Sequence, residues 1–234
     1  MEPRTIAARM PHDLYTRPPR PADSGAITRR ALLRLRPPPA VRDPAGVAAR
    51  RAAIADLSTH PGQGALRDAV APVTRALADF ASDSSATSAF AIALDPEPDR
   101  AIAELARSAA PGGAVAIATW VPRGLPGRLF EFAEQIAPLP VGIPSPAEWG
   151  RAEIATRRLG PVVGDLEVRT RTVRLSFPDP EAAFTAISAG LPFPFSRLDE
   201  LRPAFDRLLS SCNDALDGVE IAGRYLLLRG NLRG

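Results

Sequence analysis

Acid–base chemistry has two candidate locations in this sequence. The stretch PHDLY near its start places His12, Asp13 and Tyr15 within five residues, and an imidazole, a carboxylate and a phenol are groups that carry protons in enzymes. Glu148 stands beside Trp149, and burial against an aromatic ring would raise the pKa of its carboxyl group toward a catalytically useful range. These residues are therefore predicted as catalytic candidates. The alternative for the first group is an exposed arm with no catalytic role.

Composition excludes several other chemistries. All 29 basic residues are arginine, so an internal Schiff base, a phosphate-loop lysine and a Ser–Lys pair are impossible. Cys212 is the single cysteine, which excludes an intrachain disulfide or a thiolate cluster and favours a reducing, cytoplasmic location. His12 and His60 lack metalloprotease spacing, and we predict no metal site.

Hydrophobic periodicity and turn residues predict the elements that must position these groups. Helices are predicted over 26–36, 46–53, 64–80, 127–136 and 199–216, from Asp95-Pro96 to the Pro111-Gly112-Gly113 stop, and from Asp179-Pro180 to 189. Strands are predicted over 40–42, 54–58, 85–95, 114–121 and 223–230, and over 165–177 with a bulge near Thr172–Val173. The order predicts an α/β fold: a mostly parallel twisted sheet with helices on both faces and an antiparallel C-terminal strand pair.

Charge and proline content divide the chain. Residues 1–51 hold eleven arginines against four acids, and residues 1–25, which are proline-rich, are predicted to be an irregular basic arm. Residues 26–234 are predicted to form a single domain. Because the arm has only one aromatic residue for base stacking, nucleic-acid binding is not expected. No apolar run is long enough to span a membrane, so no membrane partner is expected.

A helix followed by a glycine turn and a strand lies at the centre of the sequence. DPEPDRAIAELARSAAPGGAVAIATW (95–120) contains a helix of the RAxxELxRxLxPGG type and a strand that ends in the polar–Trp pair Thr119-Trp120. It resembles class I S-adenosylmethionine-dependent methyltransferases, in particular the small-molecule, ubiquinone/menaquinone-type branch. The Trp149-Gly150 pair and the reversed last strands fit the same family. The resemblance implies a Rossmann-like fold and a substrate-covering insertion at about 122–160.

The half of the chain that would bind the cofactor departs from that family. The family has an acidic residue followed by a Gly-x-Gly-x-Gly turn, because a Cβ would block the approach of the cofactor. Asp43 matches the acid, but Gly46 is the only glycine of the turn. Asp56 matches the second, ribose-binding acid, although it follows Gly46 at a shorter distance in the sequence than this acid follows the glycine turn in such folds. Alternatively, Asp56 is a turn acid or a helix N-cap. We therefore predict a vestigial cofactor site, and His60, which would face it, is predicted as a further catalytic candidate.

Function is predicted from the fold and the lost motif together. Trp120, Trp149, Phe193 and Phe195 are the predicted walls of a pocket for an apolar or aromatic small molecule. The first hypothesis is an enzyme of specialised (natural-product) biosynthesis that needs no cofactor and catalyses a condensation or cyclisation, such as a Pictet–Spengler-type ring closure. The alternatives are an S-adenosylmethionine-dependent methyltransferase with a divergent loop and a non-catalytic partner protein. A homodimer is compatible with the sequence.

Overall fold

The fold is described by a computed structural model that covers residues 43–57, 59–81, 85–110 and 112–233. The helices are α1 (Pro44–Leu57), α2 (Gln63–Phe80), α3 (Ala91–Leu94), α4 (Pro98–Ser108), α5 (Leu125–Ile136), α6 (Ala152–Leu159), α7 (Pro180–Ser188) and α8 (Leu198–Cys212). The strands are β1 (Ala86–Ala89), β2 (Ala114–Trp120), β3 (Val163–Phe177) and β4 (Val219–Leu232). Short 3-10 helices span Pro146–Gly150 and Phe195–Arg197. The predicted arm, the helix over 26–36 and the strand over 40–42 lie outside the described residues.

The sheet has the strand order β1-β2-β4-β3. β1 and β2 are parallel, whereas β4 is antiparallel to both β2 and β3. The α/β class and the antiparallel C-terminal pair are confirmed, but the sheet is mixed, and the prediction of a mostly parallel sheet is wrong. The apolar run of β2 indicates burial on both faces. It does not indicate the direction of the neighbouring strand.

The first described helix replaces a predicted strand. Residues 54–58 were expected to be a strand ending at Asp56, but α1 is helical from Pro44 through Leu57. The Asp43 carboxylate accepts a hydrogen bond from the Ala45 N–H at 3.0 Å, and Pro44 takes the first helical position, where it needs no N–H partner. Alanine and arginine, which favour helix, dominate the segment. One continuous helix therefore forms where a helix and a strand were predicted.

The segment after β1 also differs from the prediction. The strand expected over 85–95 ends at Ala89, and a short helix, α3, follows. Asp95 does not cap the next helix, since α4 begins at Pro98; its carboxylate instead accepts the Glu97 N–H at 2.7 Å. The helical region is sterically disfavoured for a residue before proline, and Glu97 lies outside that region with φ −122° and ψ 74°. Pro98 therefore favours a helix that starts after Glu97.

β3 is the long strand expected, but its irregularity lies elsewhere. The register with β4 shifts between Gly164 and Glu167, whereas the bulge was predicted near Thr172–Val173. From Glu167 onward the pairing with β4 is continuous to Phe177. The phase change in the sequence therefore reflects which side chains are covered, and it is not a break in pairing.

Two apolar layers pack on the two faces of the sheet. Along β2, Ala116 and Ala118 belong to one cluster, and Val115 and Ile117 belong to the other, as the alternation of side chains along a strand requires. α2, α5, α7 and α8 cover the first face, and α4 and α6 cover the second. Within the described ranges no helix is long and apolar enough to cross a membrane.

Candidate functional site

A cavity of about 290 Å³ lies at the carboxyl ends of β1 and β2, on the face of the sheet that α2 covers. Ligands of open α/β sheets commonly bind outside the carboxyl ends of the strands. Most of its lining is apolar: Leu57, Leu66, Val70, Ala89, Phe90, Ala91, Ala93, Leu94, Trp120, Pro126, Phe130, Pro146, Leu175, Ile187, Ala189, Gly190 and Leu191. We call this space the aromatic cavity.

Two stacked rings give the aromatic cavity its name. Phe90 and Trp120 stack with their ring centroids 4.2 Å apart and their planes at 12°. Trp120 also meets Tyr225 edge-on at 6.3 Å. A Cβ at Gly223 on β4 would lie 2.9 Å from the Trp120 ring. The absence of a side chain at this position therefore provides the space that the indole occupies. An aromatic ligand can extend the stack, because offset aromatic pairs are favourable beyond their buried area.

Phe90 holds its position in a strained backbone conformation. Its φ of 65° lies in the left-handed region, which bulky residues rarely adopt. Its N–H donates to the Ala118 carbonyl at 2.8 Å, and its ring is held against Trp120. Such strain concentrates at ligand sites, where surrounding contacts fix it. The conformation turns the chain from β1 into α3 and places an aromatic ring in the cavity wall.

Few polar groups face the aromatic cavity. Gln63, Arg67 and Thr74 are the polar residues among its described walls. The Gln63 amide already donates to the Ala189 carbonyl at 2.7 Å, and Arg67 and Thr74 are exposed. The described walls contain no carboxylate, imidazole or thiol. They can therefore bind and orient an apolar molecule, but they supply no general base.

A buried arginine lies behind one wall of this cavity. Arg50 on α1 is 7% exposed, and its Nη1 donates to the Pro192 carbonyl at 2.9 Å. Its Nη2 has no hydrogen-bond partner among the residues that the structure describes. Burial lowers the pKa of the guanidinium to about 10, partly offset by the charge of Glu134. A second cavity of about 20 Å³ adjoins this side chain, and we call it the arginine cavity.

Glu134 on α5 also lines the arginine cavity. Its carboxyl oxygen accepts a hydrogen bond from the Ser145 hydroxyl at 2.5 Å. Burial raises the pKa of Glu134, and this effect exceeds the lowering by that hydrogen bond and by Arg50. Arg50 and Glu134 form no ion pair within the described part of the chain. The two side chains therefore line the same cavity, but the Glu134 carboxyl group is not an ion-pair partner of the Arg50 guanidinium.

The predicted catalytic carboxylate, Glu148, lies in an ion pair. Its Oε2 is 2.6 Å from the Arg158 Nη2, and its side chain is 37% exposed. The expected burial against Trp149 is not found, because the indole is fully buried in the second core layer and the guanidinium of Arg158 stacks over it at 5.2 Å. Glu148 is not among the described residues that line the aromatic cavity.

The predicted aromatic walls separate in the structure. Trp120 lines the aromatic cavity, whereas Trp149 packs on the other face of the sheet. Phe193 is buried and lines the arginine cavity. Phe195 begins a 3-10 helix, and its side chain lies outside what the structure describes. Sequence alone places an aromatic residue at a strand end or in a loop, but not on a particular face.

The predicted proton carriers in the N-terminal half occupy different parts of the chain. His12, Asp13 and Tyr15 lie outside the described residues. His60 is buried between α1 and α2, and its Nδ1 accepts the Gly62 N–H at 3.0 Å. Burial lowers the pKa of His60 and favours the neutral ring. His60 is close in sequence to Leu57 and Gln63, which line the aromatic cavity, but His60 is not among the described residues that line it.

The three residues predicted as a vestigial cofactor site all lie at α1. Asp43 caps the helix, and Asp56 lies in its last turn. A Cβ at Gly46 would lie 2.4 Å from the Cβ of Pro140, so this glycine lets α1 approach the loop after α5. The strand–turn–helix expected around these residues is replaced by one helix. Within the described ranges no group of three or more His, Cys, Asp or Glu could hold a metal ion.

Several site residues were missed by the sequence analysis, in particular Arg50, Phe90 and Glu134. Leu66 and Val70 were predicted only as part of the apolar stripe of α2. That stripe is wide. Leu66 and Val70 at its edge are half-buried and line the cavity, whereas Val73 and Leu77 are buried in the core. A wide apolar stripe was the available signal for the wall. No local signal marks Arg50, because its partners are distant in sequence.

The chain was also compared with known proteins. No protein-family model matches it, and no curated protein matches it. The methyltransferase resemblance therefore stays a prediction from the motifs at 95–120. The proposals below depend on the geometry of the two cavities.

Proposed function

We propose that this protein is a methyltransferase-fold enzyme of small-molecule biosynthesis that binds an apolar, aromatic substrate in the aromatic cavity and closes a ring without S-adenosylmethionine. The observation that carries the proposal is an apolar cavity at the carboxyl ends of the parallel strands, with stacked Phe90 and Trp120 in its wall. At about 290 Å³ it is at the small end of ordinary ligand pockets.

The apolar walls limit what the protein can contribute to such a reaction. Holding a flexible substrate with its two reacting atoms in contact removes much of the entropic barrier to ring closure. The described walls contain no base, so this positioning is their main contribution. The proton carrier would therefore come from the substrate or from water.

The arrangement of the strands supports the methyltransferase part of the proposal. A parallel pair, β1 and β2, is followed by an antiparallel C-terminal pair, as the resemblance implies. The continuous α1 supports the loss of the cofactor, because it leaves no glycine turn between Asp43 and Asp56 for the methionyl end of S-adenosylmethionine to approach.

Two alternative functions remain distinct from this proposal. An S-adenosylmethionine-dependent methyltransferase is favoured by the same strand arrangement and by a substrate-sized cavity at the strand ends. A non-catalytic partner protein is favoured by the absence of a base in the described walls. A measurement of S-adenosylmethionine binding distinguishes the methyltransferase alternative from the proposal. Conversion of a substrate by the isolated protein would exclude the non-catalytic alternative.

Binding of a neutral aromatic probe tests the cavity. The fluorescence of N-phenyl-1-naphthylamine should rise saturably with the full-length protein, because the probe enters an apolar, aromatic-walled space. Val70→Trp should abolish this signal, since Val70 is in the wall and the indole would fill the space. Val141→Trp is the matched control, because Val141 is 78% exposed. Equal probe binding by both variants would overturn the assignment of the cavity as the binding site.

Calorimetry tests the cofactor. Titration with S-adenosylmethionine or S-adenosylhomocysteine at millimolar concentration should give no binding heat. Binding in the micromolar range would overturn the cofactor-independent part of the proposal and would favour the methyltransferase alternative. The probe experiment with N-phenyl-1-naphthylamine would stand in either case.

A further inference from the structure

The Nη2 of Arg50 is a buried hydrogen-bond donor that has no acceptor among the residues the structure describes. The side chain is 7% exposed; its Nη1 donates to the Pro192 carbonyl at 2.9 Å, and its Nε is 3.5 Å from the Leu94 carbonyl. Nη2 has no partner within the described structure. A buried charged donor that lacks an acceptor is unfavourable. An acceptor from outside the described residues would remove this deficit.

Arg50, whose Nη2 lacks an acceptor among the described residues, lies next to the aromatic cavity. Phe130 and Pro146 line both the aromatic and the arginine cavities. One carbonyl partner of Arg50 belongs to Leu94, which also lines the aromatic cavity. The guanidinium is therefore behind the wall of the ligand space, and Phe130 and Pro146 lie between the two cavities. A ligand group that passed between these two side chains would reach it.

The residues around the guanidinium select the chemistry of that group. Carboxylates are the preferred partners of a guanidinium, because the geometry matches and the hydrogen bonds are charge-assisted. Glu134 is the carboxyl group in the arginine cavity, but it accepts a hydrogen bond from Ser145 and forms no ion pair with Arg50. The arginine cavity, at about 20 Å³, has room for about one water-sized atom, which fits one oxygen of a ligand carboxylate.

We propose that the natural ligand is an aromatic or alkyl carboxylic acid whose apolar part occupies the aromatic cavity and whose carboxylate binds Nη2 of Arg50. This inference rests on the proposed function, since it names the substrate class of the same cavity. It assigns a role to Glu134 as well: a carboxylate beside the ligand anion weakens its binding and disfavours more highly charged ligands. The competing arrangement is an ordered water that bridges Nη2 and Glu134.

Calorimetry with a matched pair of ligands tests the inference. 2-Naphthoate and 2-naphthamide share the same ring system and differ in charge. At pH 7.5 the full-length protein should bind the acid about tenfold more tightly than the amide, as one charge-assisted hydrogen bond implies. Arg50→Gln should remove this preference, and it should weaken binding of the acid far more than binding of the amide, because the amide carbonyl forms only a weaker, uncharged hydrogen bond with Nη2. Glu134→Gln should increase affinity for the acid only.

Each outcome decides between the two proposals. If the acid and the amide bind equally while N-phenyl-1-naphthylamine still binds, the carboxylate inference is wrong and the cavity stands. If none of the three binds, the proposed function fails, and the inference fails with it. Should Arg50→Gln not fold, Glu134→Gln decides alone: unchanged affinity for the acid, with reduced stability, indicates the bridging water and overturns the inference.

Discussion

Trp120 keeps its position through two glycines on neighbouring segments. A Cβ at Gly150 would lie 1.8 Å from the backbone oxygen of Trp120, and one at Gly223 would lie 2.9 Å from its ring. Gly150 is buried at the end of a 3-10 helix, where the Thr119 hydroxyl also donates to the Trp149 carbonyl at 2.9 Å. The end of β2 is therefore packed backbone to backbone against this turn, and the wall of the aromatic cavity depends on that contact.

Gly150→Ala should destabilise the protein. The added methyl group has no space beside the Trp120 carbonyl, so the turn or β2 must shift, at a cost of roughly 1–3 kcal/mol. Urea unfolding monitored by circular dichroism measures the change. Gly64→Ala is the control, because a Cβ there meets nothing within 4 Å; in an exposed helix this change should stabilise by about 0.4–1 kcal/mol. Equal stability of Gly150→Ala and the wild type would contradict the packing argument.

Residue types alone identified only part of the site. Trp120 could be placed at a strand end because β2 is an uninterrupted apolar run that stops there. Glu148 could not be placed in its ion pair, because Arg158 follows ten residues later on a different helix and nothing local indicates that they meet. Arg50 lacked any signal, since the Pro192 carbonyl is 142 residues away in sequence.

At the scale of elements, an Asp-Pro pair predicts the start of a helix correctly where no further proline follows closely. Asp179-Pro180 predicts the start of α7, and the structure confirms it: the Asp179 carboxylate accepts the Ala182 N–H at 2.7 Å. Asp95-Pro96 carries the same pattern but is followed by Pro98, which moves the start of α4. The two cases differ by one proline, and the later start of α4 agrees with the tendency of a residue before proline to avoid the helical region. The tendency alone is not decisive, because α2 and α8 continue through Pro72 and Pro203.

Asp179→Ala should destabilise the protein by about 1 kcal/mol, because the first turn of α7 loses the acceptor for a backbone N–H. Asp179→Asn should retain most of the stability, since asparagine caps about as well as aspartate. Chemical denaturation of both variants measures the difference. If alanine and asparagine behave alike, the cap does not contribute to stability as its geometry implies.

At the scale of the whole molecule, the buried His60 and the half-buried Glu134 give opposite pH dependences. Burial lowers the pKa of His60 and raises that of Glu134. For His60 the unfolded state binds the proton more readily, so stability is lost as pH falls below about 6.5. For Glu134 the folded state holds the proton more readily, so its contribution is lost as pH rises above the ordinary carboxyl range. Between those limits the two contributions have opposite signs and partly offset each other.

A substitution at His60 separates the two contributions. In His60→Asn the Oδ1 can accept the Gly62 N–H in place of Nδ1, and it has no proton to gain near pH 6. The variant should therefore lose less unfolding free energy than the wild type between pH 7.5 and pH 5.5. Urea titrations at both pH values measure this difference. An equal loss in both proteins would show that His60 has the same pKa folded and unfolded.

The sequence by itself determined those features that local physics controls. The amphipathic pattern of α2, the apolar run of β2 and the helices α5 and α7 follow from periodicity, proline and capping over a few residues. The continuous α1 also agrees with its alanine-rich composition, whereas the match of Asp56 to a ribose-binding acid at a strand end favoured a strand there.

Only the tertiary structure decided which strands and side chains meet. β4 inserts between β2 and β3, so Trp120 lies over Gly223 and Trp149 belongs to the opposite core layer. Arg50 donates to a carbonyl beyond α7, and its buried Nη2 has no acceptor among the described residues. These pairings join residues far apart in the chain, and their energy comes from packing that no short window of sequence contains.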